Sequence, residues 1–330
     1  MEFTVIAGRN VSRIGLGTWA IGGLDWGSVP DNDAVSTILE ALERGINLID
    51  TAPIYGHGRA EELIGKAMRE YGRRDAFYIA TKAGLDWALL GRPGVFADST
   101  AARLRSELDD SLRRLGTDHI NLYQIHWPDT LVPIEETAEL MAGFLRGGKV
   151  GALGVSNFSL AQMKSFQSVA PLASNQPPYN LFEREIDAEI LPWCDANQVA
   201  VLTYSSLCRS MLGGRLTRGM TFPDGDIRTA DPKFREPRFT QYLNAVDQLS
   251  TLARDRFGKT VLELAARWVL DRPGVSVALW GAKRPEQLAA VDGVVGWKLD
   301  EAAMREIDRI IAECVIDPVG PEYLTPLARK

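Results

Sequence analysis

Eight short apolar segments alternate with amphipathic segments along the chain, and this predicts an α/β fold: a (β/α)8 TIM barrel with an N-terminal β-hairpin and extra C-terminal helices. The apolar segments are rich in β-branched and aromatic residues, as buried strands are. No linker rich in proline or serine interrupts the alternation. We therefore expect residues 1–330 to form a single domain.

The strands follow from local composition. EFTVI and VSRI predict the N-terminal hairpin, with its turn at Gly8-Arg9-Asn10. The eight barrel strands are predicted, in order, at RIGLGT, INLID, FYIATK, INLYQIH, GALGVS, SNQPPYN, AVLTYSSL and VSVALW.

Helices are predicted between these strands because apolar residues recur there with helical spacing. Asp31 is expected to cap the first helix, Ser99 or Thr100 to cap a later one, and Pro133 to open the next. The predicted helices are DNDAVSTILEALERG, GRAEELIGKAMREYG, TAARLRSELDDSLRRLG, PIEETAELMAGFLRGG, SLAQMKSFQSV, REIDAEILPWCDANQ, QYLNAVDQLSTLARDRFG, TVLELAARWVLDRPG, RPEQLAAVDGV and DEAAMREIDRIIAEC. Residues 209–237 lack periodicity, so we expect a long functional loop there.

Composition narrows the class of protein. With 37 basic and 43 acidic residues the net charge is −6, which argues against a nucleic-acid or membrane surface. No apolar run is long enough to span a bilayer, and the N-terminal MEFTVIAGRN does not resemble a secretory signal. Three widely spaced cysteines, Cys194, Cys208 and Cys314, show neither a disulfide framework nor metal spacing, so we expect a cytoplasmic protein without a metal.

Four polar residues stand at or just after the ends of predicted strands: Asp50, Tyr55, Lys82 and His126. Chemistry in a parallel barrel sits at the face where the strands end, so these side chains are expected to converge. Taken singly, each has a plainer interpretation: a turn-capping aspartate, a loop tyrosine, a surface lysine and a core histidine.

A carboxylate, a phenol, an amine and an imidazole together form a set that can move a proton. A phenol with a pKa of about 10 is a poor acid near neutrality, and a neighbouring ammonium lowers that pKa. We therefore predict Tyr55 as general acid and base, Lys82 as the group that lowers its pKa, Asp50 as the anchor of Lys82, and His126 as the group that orients a carbonyl oxygen.

The segment Gly15–Ala20 matches the GxGxxA dinucleotide-binding pattern. That pattern requires a helix to open at once, so that its N-terminus can hold a pyrophosphate. GGLDWGSVP follows instead and predicts a loop, with the helix delayed until about Asp31. The glycines are better explained as easing a strand exit beside a ligand.

An ordered series of segments resembles the aldo-keto reductase family over nearly the whole chain: GLGTW, NLIDTAPIYGHGRAEELIGKAM, IATKAG, LYQIHWPD, GALGVSNF, SNQPPYNLFERE, TYSSL and WGAKRPEQL. The resemblance is strongest to bacterial members acting on small aldehydes and sugars. It implies a (β/α)8 barrel, NADP(H) and no metal, with hydride transfer to a carbonyl. It also implies that Asp50, Tyr55, Lys82 and His126 are the family's catalytic tetrad.

The same resemblance implies coenzyme-binding positions. Ser156, Asn157 and Gln176 match side chains that hold the nicotinamide carboxamide, and Tyr204 matches the aromatic that stacks on the ring. The alternative interpretation of Tyr204, taken alone, is a core aromatic of a strand. The remaining positions assigned to the coenzyme are Gly17, Thr18, Trp19, Ser205, Leu207, Arg215 and Gly281, with Ser205, Leu207 and Arg215 on the pyrophosphate.

Lys283 and Arg284 precede the helix after the last strand, where two cations and free backbone amides suit the extra phosphate of NADP. A solvated basic pair is the alternative. Gln287 matches a further adenosine contact, and NADPH is expected to be preferred over NADH. The family often has asparagine at the place of Val291 and acidic residues at 289–290, so the adenine contacts remain open.

Four tryptophans, Trp19, Trp26, Trp87 and Trp127, follow strands and predict an aromatic pocket for a small carbonyl or sugar-like substrate. His57 is expected to face solvent. Trp280 is expected either beside the adenosine or in the barrel wall, and Cys208 as either a packing residue or a reactive thiol.

Two other functional classes remain open at this level: a nucleotide-sensing subunit that binds NADP(H) with little turnover, and a barrel isomerase or lyase.

Overall fold

The computed structural model describes residues 1–24, 26–87, 94–327 and 329. Eight parallel strands close into a barrel in chain order, with the last pairing with the first, which confirms the predicted (β/α)8 class. The barrel strands are β3 (Ile14–Gly17), β4 (Leu48–Asp50), β5 (Tyr78–Ala83), β8 (Leu122–Ile125), β9 (Leu153–Ser156), β10 (Ser174–Gln176), β11 (Ala200–Thr203) and β12 (Val275–Gly281).

Two short antiparallel ribbons complete the strands. The predicted N-terminal hairpin is confirmed as β1 (Phe3–Ile6) and β2 (Arg9–Ser12), although its turn lies at 7–8 because Arg9 already pairs with Ile6. The second ribbon, β6 (Leu85–Asp86) with β7 (Phe96–Ala97), follows β5 and was not predicted, because its strands are too short to show a pattern.

Helices surround the barrel. They are α1 (Trp19–Gly22), α2 (Asp31–Glu43), α3 (Arg59–Tyr71), α4 (Ala101–Leu115), α5 (Ile134–Arg146), α6 (Leu160–Gln167), α7 (Ile190–Ala196), α8 (Arg238–Phe257), α9 (Val261–Asp271) and α10 (Glu301–Cys314). Short 3₁₀ segments lie at Arg74–Ala76, Glu185–Asp187, Met211–Gly213, Ile227–Thr229, Pro232–Phe234, Pro285–Gly293 and Glu322–Leu324.

Several helix predictions were wrong in detail. Asp31 is the first residue of α2 and does not cap it, since Pro30 occupies the preceding position. Thr100 precedes α4 without a side-chain capping bond. The segment after β12 is a 3₁₀ helix, and the helix predicted over 184–198 breaks into Glu185–Asp187 and α7.

The one-turn helix α1 precedes the predicted loop GGLDWGSVP and overlaps it at Gly22. It ends at Gly22, where an added Cβ would lie 2.6 Å from the carbonyl carbon of Tyr55. A side chain there would displace the loop that carries Tyr55. Because Ile14–Gly17 is a barrel strand followed by a single turn, the dinucleotide-fold interpretation of this segment is excluded.

Two apolar layers fill the molecule. Alternate residues of each strand point into the barrel, where Leu48, Tyr78, Leu122 and others pack on Ile6 and Val11 of the hairpin. The hairpin therefore closes the end at which the strands begin. The other strand residues pack outward against the helices.

The long segment after β11 is held by buried charges, which sequence periodicity could not reveal. Arg209 Nη1 and Lys233 Nζ each lie 2.8 Å from Glu183 Oε1, and Asp231 Oδ2 lies 3.3 Å from Arg209 Nη1. All four side chains are at most 1% exposed. Such ion pairs fix a loop because separating either cation from Glu183 would leave an uncompensated buried charge.

Within the described ranges, no helix is both long and apolar enough to cross a membrane. Among the same residues, no group of histidine, cysteine or acidic side chains could hold a metal ion.

Candidate active site

Strand alternation brings Asp50 and Lys82 together. Asp50 pairs with Ala80 across β4 and β5, and Lys82 lies two residues farther on the same inward face. Lys82 Nζ contacts both carboxylate oxygens of Asp50, at 2.9 and 2.8 Å, and Thr51 O at 3.0 Å. Gln176 Nε2 donates to Asp50 Oδ1 at 2.7 Å. The pair is thus buried and hydrogen-bonded on both sides, which is the condition for an ionised pair in an interior.

Tyr55 reaches this pair from the loop after β4. Its hydroxyl lies 3.4 Å from Lys82 Nζ, and its ring stacks on Trp19 with centroids 6.1 Å apart and planes 20° apart. The ring of His126, directly after β8, meets the ring of Tyr55 edge-on at 6.0 Å. The structure therefore brings all four predicted residues to the end of the barrel where the strands finish.

The predicted lowering of the Tyr55 pKa was wrong for this arrangement. Burial, followed by the negative charge of Asp50, raises the pKa of Tyr55 well above its ordinary value of 10.0. The ammonium of Lys82 does not reverse this shift, because Asp50 neutralises its charge at closer range. Tyr55 is consequently a protonated donor, which is the form that protonation of a carbonyl oxygen requires.

His126 is held neutral. Burial, and then the positive charge of Lys82, lowers the pKa of His126 well below 6.5. A neutral imidazole carries one N–H, so it can donate a hydrogen bond to a carbonyl oxygen without adding charge to the site.

A second hydrogen-bonded group lies beside the tetrad. Tyr204 donates its hydroxyl to Asn157 Oδ1 at 2.8 Å, and Asn157 Nδ2 donates to His126 O at 3.0 Å. Ser156 Oγ donates to Gln176 O at 2.7 Å. This network fixes the Tyr204 ring and places polar groups beside it.

A cavity of about 700 Å³ opens over the tetrad. Its walls include Trp19, Trp87 and Trp127, and on another side Tyr204. His57 is exposed, as expected, and its ring also lines this cavity and stacks on Trp87 at 5.3 Å with planes 5° apart.

A second cavity of about 170 Å³ shares Trp19, Tyr55 and Tyr204 with the first. Trp26, which was predicted to lie in the substrate pocket, lines this cavity and not the first. Predicted coenzyme residues that also line it are Gly17, Ser205, Leu207, Gly281, Lys283 and Gln287.

Two features of the second cavity suit contacts with a polar ligand such as a nucleotide. The indole Nε1 of Trp26 is buried without a hydrogen-bond partner among the described residues, which leaves a donor for a ligand. A Cβ added to Gly281 would meet no atom within 4 Å, so the backbone there is open to close approach.

The expectation of free backbone amides at the phosphate position was wrong. The backbone N–H groups of Lys283 and Arg284 donate to Gln287 Oε1, at 2.7 and 3.1 Å. Lys283 Nζ donates to Trp26 O at 2.5 Å. Burial, and then Arg228 and Arg284, lowers the pKa of Lys283, which marks a local excess of positive charge suited to an anion.

Other predicted positions lie apart from the cavities. Arg215 is exposed and lines neither cavity. Thr18 is buried, and its hydroxyl donates a hydrogen bond to Asp50 O at 2.8 Å.

Trp280 packs in the barrel wall and donates its indole N–H to Gln287 O at 3.1 Å. Burial, and then Glu183, raises the pKa of Cys208 to about 12, so this thiol is a packing residue.

Sequence reasoning missed two contributions to these cavities. Arg209 lines the second cavity, and the C-terminal residues 323–327 line the first. Neither belongs to a strand end, and neither carries a local motif that would have indicated its position.

A sequence model that describes the Aldo/keto reductase family matches residues 13–312. The chain belongs to the aldo-keto reductase family. It is 51% identical over 332 residues to aldo-keto reductase YhdN of Bacillus subtilis, an alignment that covers 100% of this chain and 99% of that protein. It is 32% identical over 312 residues to the NADH-specific methylglyoxal reductase of Escherichia coli, covering 90% and 94% respectively.

Solved aldo-keto reductases agree with this assignment. Glycerol dehydrogenase AKR11B4 from Gluconobacter oxydans superposes with a TM-score of 0.88 at 47% identity, covering 98% of this chain and 99% of that one. An aldo/keto reductase from Klebsiella pneumoniae in complex with NADP and acetate gives a TM-score of 0.71 at 28% identity, covering 92% and 93%. As a member of this family, the chain is an oxidoreductase.

Proposed function

We propose that this aldo-keto reductase reduces small aldehydes and ketones to alcohols with NADPH, and that Tyr55 supplies the proton. The observation that carries the proposal is the contact of Lys82 Nζ with Asp50 at 2.8 Å and with the Tyr55 hydroxyl at 3.4 Å, at the base of an aromatic cavity. A bound nicotinamide would supply the hydride. Residues of the chain itself would supply the proton, orient the carbonyl group and exclude water.

Each catalytic side chain has a separate role in this proposal. Tyr55 donates its phenolic proton to the carbonyl oxygen, and Lys82 Nζ, 3.4 Å from the Tyr55 hydroxyl, holds that oxygen in position. Asp50 holds Lys82 charged and in place. His126 donates a hydrogen bond to the same carbonyl oxygen, so that the oxygen is positioned as its negative charge develops. In the reverse direction the phenolate accepts the proton of an alcohol.

The coenzyme would bind along the second cavity with its nicotinamide at Tyr204. Ser156, Asn157 and Gln176 are the groups proposed to hold the carboxamide, and Lys283 and Arg284 to contact the extra phosphate. Support comes from Tyr55 and Tyr204, which line both cavities, and from the NADP complex of the Klebsiella relative. The NADH-specific E. coli relative makes the preference for NADPH a separate question.

The substrates are proposed to be small carbonyl compounds, including hydroxylated, sugar-like ones. Three tryptophans give the cavity flat apolar walls, while Tyr55 and His126 supply hydrogen-bonding groups at its base. The names of two relatives, a methylglyoxal reductase and a glycerol dehydrogenase, are consistent with substrates of this size.

The direct test follows the absorbance of reduced nicotinamide with a panel of short, hydroxylated and aromatic aldehydes, using NADPH and NADH in parallel. Turnover with several members supports the proposal. Tight NADPH binding without turnover on any member would point instead to a nucleotide-sensing subunit.

The phosphate assignment predicts a coenzyme switch in the double variant Lys283→Ala/Arg284→Ala. Each cation would make a charge-assisted hydrogen bond to phosphate, so the ratio of kcat/KM for NADPH to that for NADH should fall about 100-fold. The exposed lysine variant Lys298→Ala is the matched control and should leave the ratio unchanged. A double variant that keeps the wild-type ratio would contradict the assignment.

The pKa shifts predict a flat pH profile for aldehyde reduction at saturating NADPH. Because the pKa of Tyr55 is raised above 10.0, the phenol keeps its proton through about pH 9, and His126 stays neutral above 6.5. We expect kcat/KM to vary less than about twofold between these limits. The variant His57→Gln is the control for the exposed histidine in the cavity. If kcat/KM falls at alkaline pH with a midpoint below pH 9, and still does so in this variant, the pKa of Tyr55 is lowered.

A further inference from the structure

The C-terminal segment forms one wall of the larger cavity. We call residues 321–327 the C-terminal strap; its residues Tyr323, Leu324 and Leu327 line the same cavity as Tyr55 and His126. The strap contains little regular structure, a single 3₁₀ turn at Glu322–Leu324. Its position must therefore be set by contacts at its ends.

The near end of the strap is fastened to the buried charges beside β11. Lys233 Nζ donates to Gly320 O at 3.0 Å. The guanidinium carbon of Arg209 lies 4.9 Å from the centre of the Tyr323 ring, within the range of a cation–π contact. Since Arg209 and Lys233 are already fixed by Glu183, this end is anchored to a rigid part of the molecule.

The side chain of Arg329 fastens the far end of the strap. Its Nη1 lies 2.7 Å from Asp98 Oδ1, and its Nη2 lies 2.6 Å from Asp129 Oδ2. The Arg329 side chain is 15% exposed, and those of Asp98 and Asp129 are 11% and 1% exposed. Partly buried, charge-assisted contacts of this kind are stronger and less screened than surface ion pairs.

The two carboxylates are held independently of Arg329. Asp129 accepts hydrogen bonds from the backbone N–H groups of Ser99 and Leu131, each at 2.8 Å, and Asp98 accepts one from Thr100 at 3.0 Å. Arg329 therefore docks on a preformed acidic site at the loops that follow β7 and β8.

Between the two ends, the strap approaches the loop before β7 closely. Leu327 donates its backbone N–H to Val95 O at 2.8 Å. A Cβ on Gly94, whose φ is +132°, would lie 2.6 Å from Leu327 Cδ1. The absence of a side chain at Gly94 is what allows this contact, so the strap and the loop form one continuous wall.

We propose that Arg329 is a positioning residue for substrate selection: by clamping Asp98 and Asp129 it holds the C-terminal strap across the substrate cavity. This inference rests on the proposed function, because it assigns the size limit of that substrate site. When the clamp is lost, the strap opens, small substrates lose contacts, and large substrates gain room. The chemistry at Tyr55 and the coenzyme cavity are not altered, since Arg329 contacts neither.

The test compares Arg329→Gln and Arg329→Lys with the wild type. For Arg329→Gln we expect KM for a three-carbon aldehyde to rise about tenfold with kcat little changed, and KM for a bulky aromatic aldehyde to stay level or fall. The lysine variant keeps one charged contact and should recover part of the loss. Arg305→Gln is the matched control, because Arg305 forms only an exposed pair with Glu301 at 3.4 Å.

Two readouts that do not need turnover accompany the kinetics. Hydrogen exchange of residues 321–327 should be faster in Arg329→Gln, and the Kd for NADPH should not change. Slower exchange, an unchanged KM profile, or a KM rise equal for small and bulky substrates would overturn the inference. If the wild type reduces no carbonyl compound, the proposed function fails, while the exchange experiment still decides whether Arg329 holds the strap.

Discussion

Replacing Tyr55 by phenylalanine is expected to lower kcat for carbonyl reduction about 10³-fold, while the Kd for NADPH stays within about twofold of the wild type. The change removes only the hydroxyl that lies 3.4 Å from Lys82 Nζ. The ring that stacks on Trp19 is preserved, so the cavity keeps its shape. Turnover is measured with a short aldehyde, and NADPH binding by quenching of tryptophan fluorescence.

Tyr71→Phe provides the matched control, since Tyr71 lies at the end of α3 against Phe77 and outside both cavities. It should show wild-type turnover. Near wild-type kcat in Tyr55→Phe, with coenzyme still bound, would refute the role of Tyr55 as proton donor.

Replacing Lys82 by methionine is expected to have a double effect: loss of turnover and loss of about 3–5 kcal/mol of folding stability. Both oxygens of Asp50 contact Lys82, so the variant leaves a buried carboxylate whose remaining side-chain partner is Gln176. Urea unfolding gives the stability, and the aldehyde assay gives the turnover.

The double variant Asp50→Asn/Lys82→Met separates the two effects. Removing both charges should restore most of the folding free energy, because no buried charge is left unpaired, and should restore no activity. Lys66→Met is the control, since Lys66 makes only an exposed contact with Glu70 at 4.0 Å and should cost less than about 0.5 kcal/mol. A Lys82→Met protein as stable as the wild type would show that Asp50 does not depend on Lys82 for its charge.

Strand periodicity explains how much of the site could be predicted. In FYIATK the residues Tyr78, Ala80 and Lys82 share one face, and the polar residue comes last, at the end where a parallel barrel carries its chemistry. The same alternation places Asp50 on the inner face of β4 and Gln176 on that of β10. Three strand ends, those of β4, β5 and β8, were therefore enough to predict which four side chains converge.

Local patterns failed where contacts come from distant parts of the chain. Gln287 occupies the amides of Lys283 and Arg284, and Lys283 bonds to Trp26, which is 257 residues away. Whether Trp26 lines the first or the second cavity depends on such a contact. No spacing rule contains it, because it joins two loops whose conformations are set by their neighbours.

The prediction of a lowered pKa for Tyr55 was wrong for an electrostatic reason. A lysine beside a tyrosine implies a lowered phenol pKa only if the lysine charge is uncompensated. Asp50 lies closer to Lys82 than Tyr55 does, so burial and the carboxylate raise the pKa of the phenol instead.

By itself, the sequence determined the barrel, the order of its strands and the inward direction of Asp50, Lys82 and the residues that follow each strand, because these depend on short-range periodicity. Only the tertiary structure decided the protonation preference of Tyr55, the division of the tryptophans between two cavities and the clamp of Arg329 on Asp98 and Asp129. Those properties depend on burial and on charges brought together from segments up to 200 residues or more apart, and such distances exist only once the chain has closed on itself.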